Sequence, residues 1–374
     1  MEQKNVDRNL IIETDVDVSD LTLYDVREEP FCVYGLYDYK NEPEFKRMPD
    51  GAASAVSENV AILAKMPAGG RVRFSTNSKH IAIRALMPSV GHFSNMPITG
   101  SAGFDLFVEE PTFRLYRHAK TFVPPYDIKN GYVSRFEFPD KRLRYITINF
   151  PCYNPLTSLE IGLDKDAEVG EGLDYRSDAP IVYYGSSITQ GGSASRPGNT
   201  YQNIVTRALE LDHVNLGFSG NAKGEDEIVD YIKSLKMYAF VCDYDHNATI
   251  IRDLERTHLR MYQRIREAHP DVPYIIISKV DFDQAYVDKI ENNTPPDTYN
   301  SSITRRNIIM DTYRYARDHG DRNVYFIDGE SVFRGYSDMT TVDTVHPGDL
   351  GFMLMAKAVT ETIKRAITQK YISE

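Results

Sequence analysis

The sequence predicts two parts: an antiparallel β-sandwich of jelly-roll type over residues 1–165, then a three-layer α/β domain with a parallel sheet over 179–374. Three observations predict it. Before residue 165, apolar residues recur at every second position and no long amphipathic helix intervenes. After residue 179, short apolar runs alternate with helix-length segments, the rhythm of a parallel sheet covered on both faces. Between them the chain is polar and glycine-rich, so 166–178 reads as a linker.

In the first part, Val72 and Phe74 alternate with Arg71, Arg73 and Ser75. Ile81, Ile83 and Ala85 keep the same period. Phe136 and Phe138, then Ile146, Ile148 and Phe150, then Leu159, Ile161 and Leu163 follow it. Turn signals at 68–70, 99–101 and 123–125 separate these runs, as an antiparallel sandwich requires. In the second part, strands are expected at 181–184, 214–216, 238–242, 274–278 and 324–327. Helices are expected at 200–210, 225–235, 253–268, 302–318 and 350–368.

Composition narrows the function. The 374 residues exceed the usual single domain, and 41% hydrophobic content is ordinary for a globular protein. A net charge of −11 argues against nucleic acid and against an anionic membrane surface. Met1-Glu2-Gln3-Lys4 opens no apolar signal segment, and no apolar run approaches the roughly 20 residues that span a bilayer. Cys32, Cys152 and Cys242 are odd in number and far apart, the usage of reduced core thiols in a cytoplasmic protein. No His or Cys pair has metal-ligand spacing, and neither phosphate-binding glycine motif is present, so no cofactor is expected. A homo-oligomer is left open.

In open parallel sheets, ligands sit beyond the carboxyl ends of the strands. Gly185-Ser186-Ser187 follows the first expected strand there, Gly217-Phe218-Ser219-Gly220 the second, and Asp243-Tyr244-Asp245-His246-Asn247 the third. Asp328 follows the fifth, with Asp343 and His346 on the loop beyond it. A serine hydroxyl is a poor nucleophile at neutral pH and needs a base beside it and a carboxylate behind that base. Ser187, His346 and Asp343 supply those three groups on one rim. Each has an ordinary reading too: Ser187 as a helix cap, Gly220 as a turn glycine, Asn247 as a local Asx turn, and His346-Pro347 as a loop end.

Taken in order, these blocks resemble the SGNH (GDSL-like) hydrolase superfamily over 179–374. Gly185-Ser186-Ser187-Ile188 is similar to its first block, with Ser186 where Asp is commoner and Ser187 at the nucleophile position. Asn215 to Gly220 resembles the second block, and Asp243 to Asn247 the third, without the glycine usual before the asparagine. Asp343-Thr344-Val345-His346 is similar to the last. The preceding sandwich, with Ser195-Arg196-Pro197-Gly198 after the nucleophile, resembles the branch that holds carbohydrate acetylesterases acting on mannan and xylan.

The resemblance implies a Ser187–His346–Asp343 triad and an acyl-enzyme. It also implies an oxyanion hole made by the backbone N–H groups of Ser187 and Gly220 and the side-chain amide of Asn247. Arg196 and Asp245 are candidate substrate contacts, and an acetylated oligosaccharide is the expected partner. Tyr244, Phe282, Tyr286 and Tyr299 are aromatics near the rim without an assigned role. Two other functions stay open on the same fold: an esterase or thioesterase for lipid or aryl acyl groups, and a carbohydrate-binding protein without catalysis. The polar rim loops at 193–199 and 281–300 favour a short acyl group on a hydroxylated alcohol.

Overall fold

The computed structural model describes residues 12, 16–113, 115–248, 251–280 and 297–373, with side chains from 302 to 369 in its last stretch. The sandwich strands are β1 (Leu21–Asp25), β2 (Cys32–Tyr34), β3 (Arg71–Thr76), β4 (His80–Leu86), β5 (Phe104–Glu110), β6 (Leu115–Phe122), β7 (Gly131–Glu137), β8 (Arg144–Asn149), β9 (Ser158–Asp164) and β10 (Val169–Glu171). One sheet has the order β1-β9-β4-β7; the other runs β10-β3-β8-β5-β6, with β2 also on β3. Every pairing is antiparallel. Val72, Phe74, Ile81, Ile83, Phe104, Ile146, Ile148 and Ile161 meet between the sheets, so the period-two pattern describes the core faces of the strands.

The opposite face of β3, β5 and β8 is polar, yet it is buried as well. Arg71, Arg73, Asp105, Glu109 and Asn149 all lie under the α/β domain or pair with one another there. Arg73 Nε donates to Glu109 Oε1 at 3.2 Å, and Asn149 Nδ2 to Asp105 Oδ1 at 2.8 Å. Arg71 Nε donates to the Tyr175 hydroxyl at 2.7 Å, and its guanidinium also pairs with Asp212 at the start of the neighbouring domain's edge strand.

The segment expected as a linker is in part a strand of the sandwich. Val169–Glu171 pairs with β3, and Tyr175 stacks on Arg73, whose guanidinium carbon lies 4.1 Å from the ring centroid. A second difference concerns the helices Asp50–Val56 and Glu58–Ala64 in the first part. Their Ala53, Val60 and Ala64, with Met48 just before them, join the core of the α/β domain beside Leu216, Phe218 and Ile228. Each helix is only seven residues long, too short for a periodic signal to stand out in the sequence.

The second domain has strands β11 (Ile181–Gly185), β12 (His213–Gly217), β13 (Ala239–Asp243), β14 (Tyr274–Ile277) and β15 (Val324–Ile327), in the order β12-β11-β13-β14-β15 and all parallel. Helices Asp226–Ser234, Ile251–Ala268 and Asp297–Asp318 cover one face; Tyr201–Leu209 and Asp349–Ser373 cover the other. This is the three-layer arrangement expected. The buried Arg47 guanidinium donates to the carbonyls of Asn215 and Gly217 on edge strand β12 and to Leu63 O at 2.6 Å. Burial pushes its pKa down to about 9. Cys152 and Cys242 are buried, Cys32 is half-buried, and all three are unpaired. Among the described residues no helix is long and apolar enough to cross a membrane.

Candidate active site

The parallel register brings three blocks to one edge, because Gly185 lies opposite both Gly217 and Asp243. A Cβ on Gly185 would fall 2.1 Å from Thr189 Oγ1 and 2.2 Å from Asp243 O, so only glycine lets the strand turn this sharply into a helix. The helix Ser187–Gln190 begins at once. Its N-cap is Ser186, whose hydroxyl accepts the Ile188 N–H at 3.2 Å. The capping task that competes with catalysis for Ser187 thus falls to its neighbour. Ser187 stands at the first helical position, where a backbone N–H has no partner within its helix.

From the far side comes the loop at 341–347, closed by a bridge between Thr341 and Pro347 and by Val342 N–H to His346 O at 2.9 Å. Asp343 Oδ1 accepts the backbone N–H of His346 at 2.7 Å and of Val345 at 3.2 Å. Thr344 takes a left-handed φ of 71°, a costly conformation for a β-branched residue and one that clusters at functional sites. The turn places both side chains. His346 Nε2 lies 2.8 Å from Ser187 Oγ, and His346 Nδ1 lies 2.7 Å from Asp343 Oδ2. The Asp343 carboxyl is held down at about 2; burial opposes the hydrogen bonds from His346 and Asn95, and the bonds prevail.

Gly220 has a left-handed φ of 69°, and a Cβ there would meet nothing within 4 Å. Its glycine is explained by the backbone conformation. Asn247 ends a single 3₁₀ turn, Asp245–Asn247, and donates one amide hydrogen to Phe218 O at 2.8 Å. That bond ties the third block to the second and leaves the other amide hydrogen for a ligand. Asp243 is buried behind the site, where Thr189 Oγ1 and Tyr201 OH each donate to its Oδ2 at 3.3 Å. Burial raises its carboxyl to about 8 despite those bonds.

Two expected substrate contacts are elsewhere. Arg196 Nη1 bonds Asp105 Oδ2 at 2.6 Å and lies over the Phe107 ring, so it fastens the sandwich to the α/β domain. Asp245 is buried, accepts the Lys279 N–H at 3.1 Å and pairs with Arg305 at 3.2 Å. It braces the turn that carries Asn247. The other polar groups of the 193–199 loop are similarly engaged: Ser195 N–H and Asn199 Nδ2 both donate to Asp349, at 2.9 and 2.8 Å. Tyr244 is buried, while Phe282 and Tyr286 lie outside the described residues, as does the Tyr299 side chain.

Two further residues reach the site from the sandwich without a sequence signal of their own. Asn95 Nδ2 donates to Asp343 Oδ2 at 2.7 Å and sits 3.2 Å from His346 Nδ1. The Tyr153 hydroxyl donates to Ser187 O at 3.0 Å, and Phe93 packs edge-on against the Tyr153 ring. No local pattern marks them, because their relation to the site is made by domain packing. Among the described residues no group of three or more His, Cys, Asp or Glu could hold a metal ion.

The sheet order and the loops at its carboxyl edge define a hydrolase of the SGNH type. The chain belongs to the GDSL-like lipase/acylhydrolase family: that family's model matches residues 178–364, and the model for the N-terminus of SGNH-hydro-type esterases matches 21–169. A solved structure described as a GDSL-like lipase, from Bacteroides ovatus, is 25% identical with a TM-score of 0.80, covering 93% of this chain and 98% of that one. The salicylyl-acyltransferase SsfX3 of a tetracycline biosynthetic pathway is 20% identical with a TM-score of 0.72, over 93% and 98% of the two chains. A family two carbohydrate esterase from Clostridium thermocellum, solved with cellohexaose, is 12% identical with a TM-score of 0.58, over 90% and 99%. The last two likenesses concern the fold. A search of the curated proteins found no match.

Proposed function

We propose that this protein is a serine esterase that removes O-acetyl groups from carbohydrates, with plant-derived mannan or xylan oligosaccharides as the substrate class. The observation that carries the esterase reading is the hydrogen-bonded run from Ser187 Oγ through His346 to Asp343. With a proton on Nδ1 directed at Asp343, His346 Nε2 is free to accept the Ser187 hydroxyl proton. Ser187 Oγ attacks the ester carbonyl, and the proton passes through His346 to the leaving alcohol. Water then repeats the sequence on the acyl-enzyme and releases acetate. The backbone N–H groups of Ser187 and Gly220 and the free Asn247 amide hydrogen meet the oxyanion. Loss of one such donor typically costs on the order of 10²–10³ in rate.

The carbohydrate part of the reading is supported by the resemblance to acetylesterases and by exposed rings on and beside the loop that carries Asn95. His92 and Phe93 precede Asn95 on its loop, and the Tyr126 ring lies 5.3 Å from His92. Such rings suit the apolar face of a sugar. A second reading has its own observation: Met339 and Val342, 64% and 54% exposed on the segment that leads into Asp343, offer an apolar surface for an aryl or longer acyl group. Acetate release from acetylated oligosaccharides, beside esters of increasing acyl length, separates the two. Turnover falling sharply from acetyl to butyryl supports the first reading; equal or better turnover of octanoyl esters supports the second.

A further inference from the structure

We propose that Asn95, on the sandwich loop between β4 and β5, is a positioning residue of the triad that fixes the Asp343 carboxylate for His346. The proposal rests on the esterase reading above. Asp343 has two oxygens with different neighbours. Oδ1 is held from within its own turn, by the backbone N–H groups of Val345 and His346. Oδ2 receives His346 Nδ1–H and one hydrogen of the Asn95 amide, both at 2.7 Å.

Asn95 Nδ2 and His346 Nδ1 are 3.2 Å apart, and neither accepts from the other when Nδ1 carries its proton. They converge on one carboxylate oxygen. The Asp343 side chain is 32% exposed, so without Asn95 water competes for Oδ2 and the carboxylate can turn away from the ring.

Asn95 is itself held. Ser193 Oγ donates to its carbonyl at 2.8 Å, and Phe93 and Met96 close its loop with a bridge. Ser193 is buried and has a φ of 77°, a strained position that places its hydroxyl against the sandwich loop. The residue type fits the task. An amide donates without adding charge; lysine would neutralise the carboxylate that must stabilise the imidazolium, and aspartate would set a second carboxylate against the first.

The test compares Asn95→Ala and the isosteric Asn95→Asp on p-nitrophenyl acetate. Both should lower kcat about ten- to a hundredfold, the usual consequence of losing one hydrogen bond to a charged partner, with KM within about twofold. The low-field proton resonance of His346 Nδ1–H should move in both variants, which a packing role for Asn95 would not produce. Asn95→Asp keeps the size of the side chain, so its loss stands even where Asn95→Ala also lowers the melting temperature. Wild-type kcat in Asn95→Asp, or an unmoved resonance, overturns the proposal. Should the wild type neither hydrolyse esters nor react with a fluorophosphonate, the esterase reading fails and Asn95 falls with it. An active wild type with unchanged variants sinks the Asn95 role alone.

Discussion

Arg196 and Asp105 belong to different domains and meet at 2.6 Å, with the Asp105 side chain wholly buried and also accepting the Gly198 N–H at 3.0 Å. The loop after the nucleophile is thereby pinned to the sandwich. Removing Arg196 leaves a buried carboxylate with its two neutral donors and with only Arg207, which makes no direct ion pair to it, as a counter-charge. Arg196→Ala should therefore cost about 1–3 kcal/mol of stability. Its KM for a small soluble ester should stay unchanged. A raised KM at unchanged melting temperature would make Arg196 a substrate contact after all.

The same packing bears on whether the α/β domain works alone. Arg71, Tyr175, Asp105 and Asn95 all lie before residue 176, and each touches the second domain or joins its interface. Expressed by itself, the segment 176–374 should be poorly soluble or nearly inactive on acetyl esters. Full activity in that fragment would show that the sandwich is dispensable.

Much of this was legible in the sequence. The parallel sheet covered on both faces follows from the alternation of apolar runs and helices, and Ser187, on the turn after the first strand, meets Asp343 and His346 of the late Asp-x-x-His loop. What was not legible is the interface. The alternation of Arg71 and Arg73 with Val72 and Phe74 identifies two faces of β3 but does not say what covers the charged one. Arg196 and Asp245 looked like rim residues because polar loop residues usually face water; both are consumed by partners that are distant in sequence, Asp105 and Arg305. Asn95 was invisible for the same reason.

Arg47 makes a further case of distant pairing. Its guanidinium serves three carbonyls, two of them on edge strand β12, which leads into the Gly220 loop. Arg47→Leu should remove about 1–3 kcal/mol, since each orphaned buried acceptor costs about 1 kcal/mol and release of a buried guanidinium with an unbonded Nε–H offsets part of that. Urea unfolding measures it. A change below about 1 kcal/mol would mean that the cost of burying the guanidinium cancels what its three hydrogen bonds contribute.

Asp243 gives the stability a pH dependence with a definite sign. Its folded pKa of about 8 lies above the unfolded value of about 4, so the folded state keeps a proton that the unfolded chain has lost. The stability present below pH 4 is lost as pH rises toward 8. Asp243→Asn removes the titration while its amide oxygen can still accept from Thr189 and Tyr201. The variant should gain on the wild type as pH rises from about 4 to 8, read as a widening difference in melting temperature. A difference that is constant with pH would mean that Asp243 is ionised in the folded protein.

Asp343→Asn tests the orienting carboxylate. An amide can hold the imidazole in the wrong tautomer, so kcat should fall on the order of 10³–10⁴ while the fold survives. Near-normal activity would mean that His346 is oriented by another group and that the site is a dyad.

The proposed catalysis stands on Ser187 as nucleophile: of the two adjacent serines it is the one hydrogen-bonded to His346, while Ser186 is spent on capping the helix. Reaction with a fluorophosphonate followed by peptide mass spectrometry tests this most directly. One adduct is expected, on Ser187, abolished in Ser187→Ala, which should also lose several orders of magnitude in kcat without losing its fold. An adduct on Ser186, or undiminished esterase activity in Ser187→Ala, would contradict it.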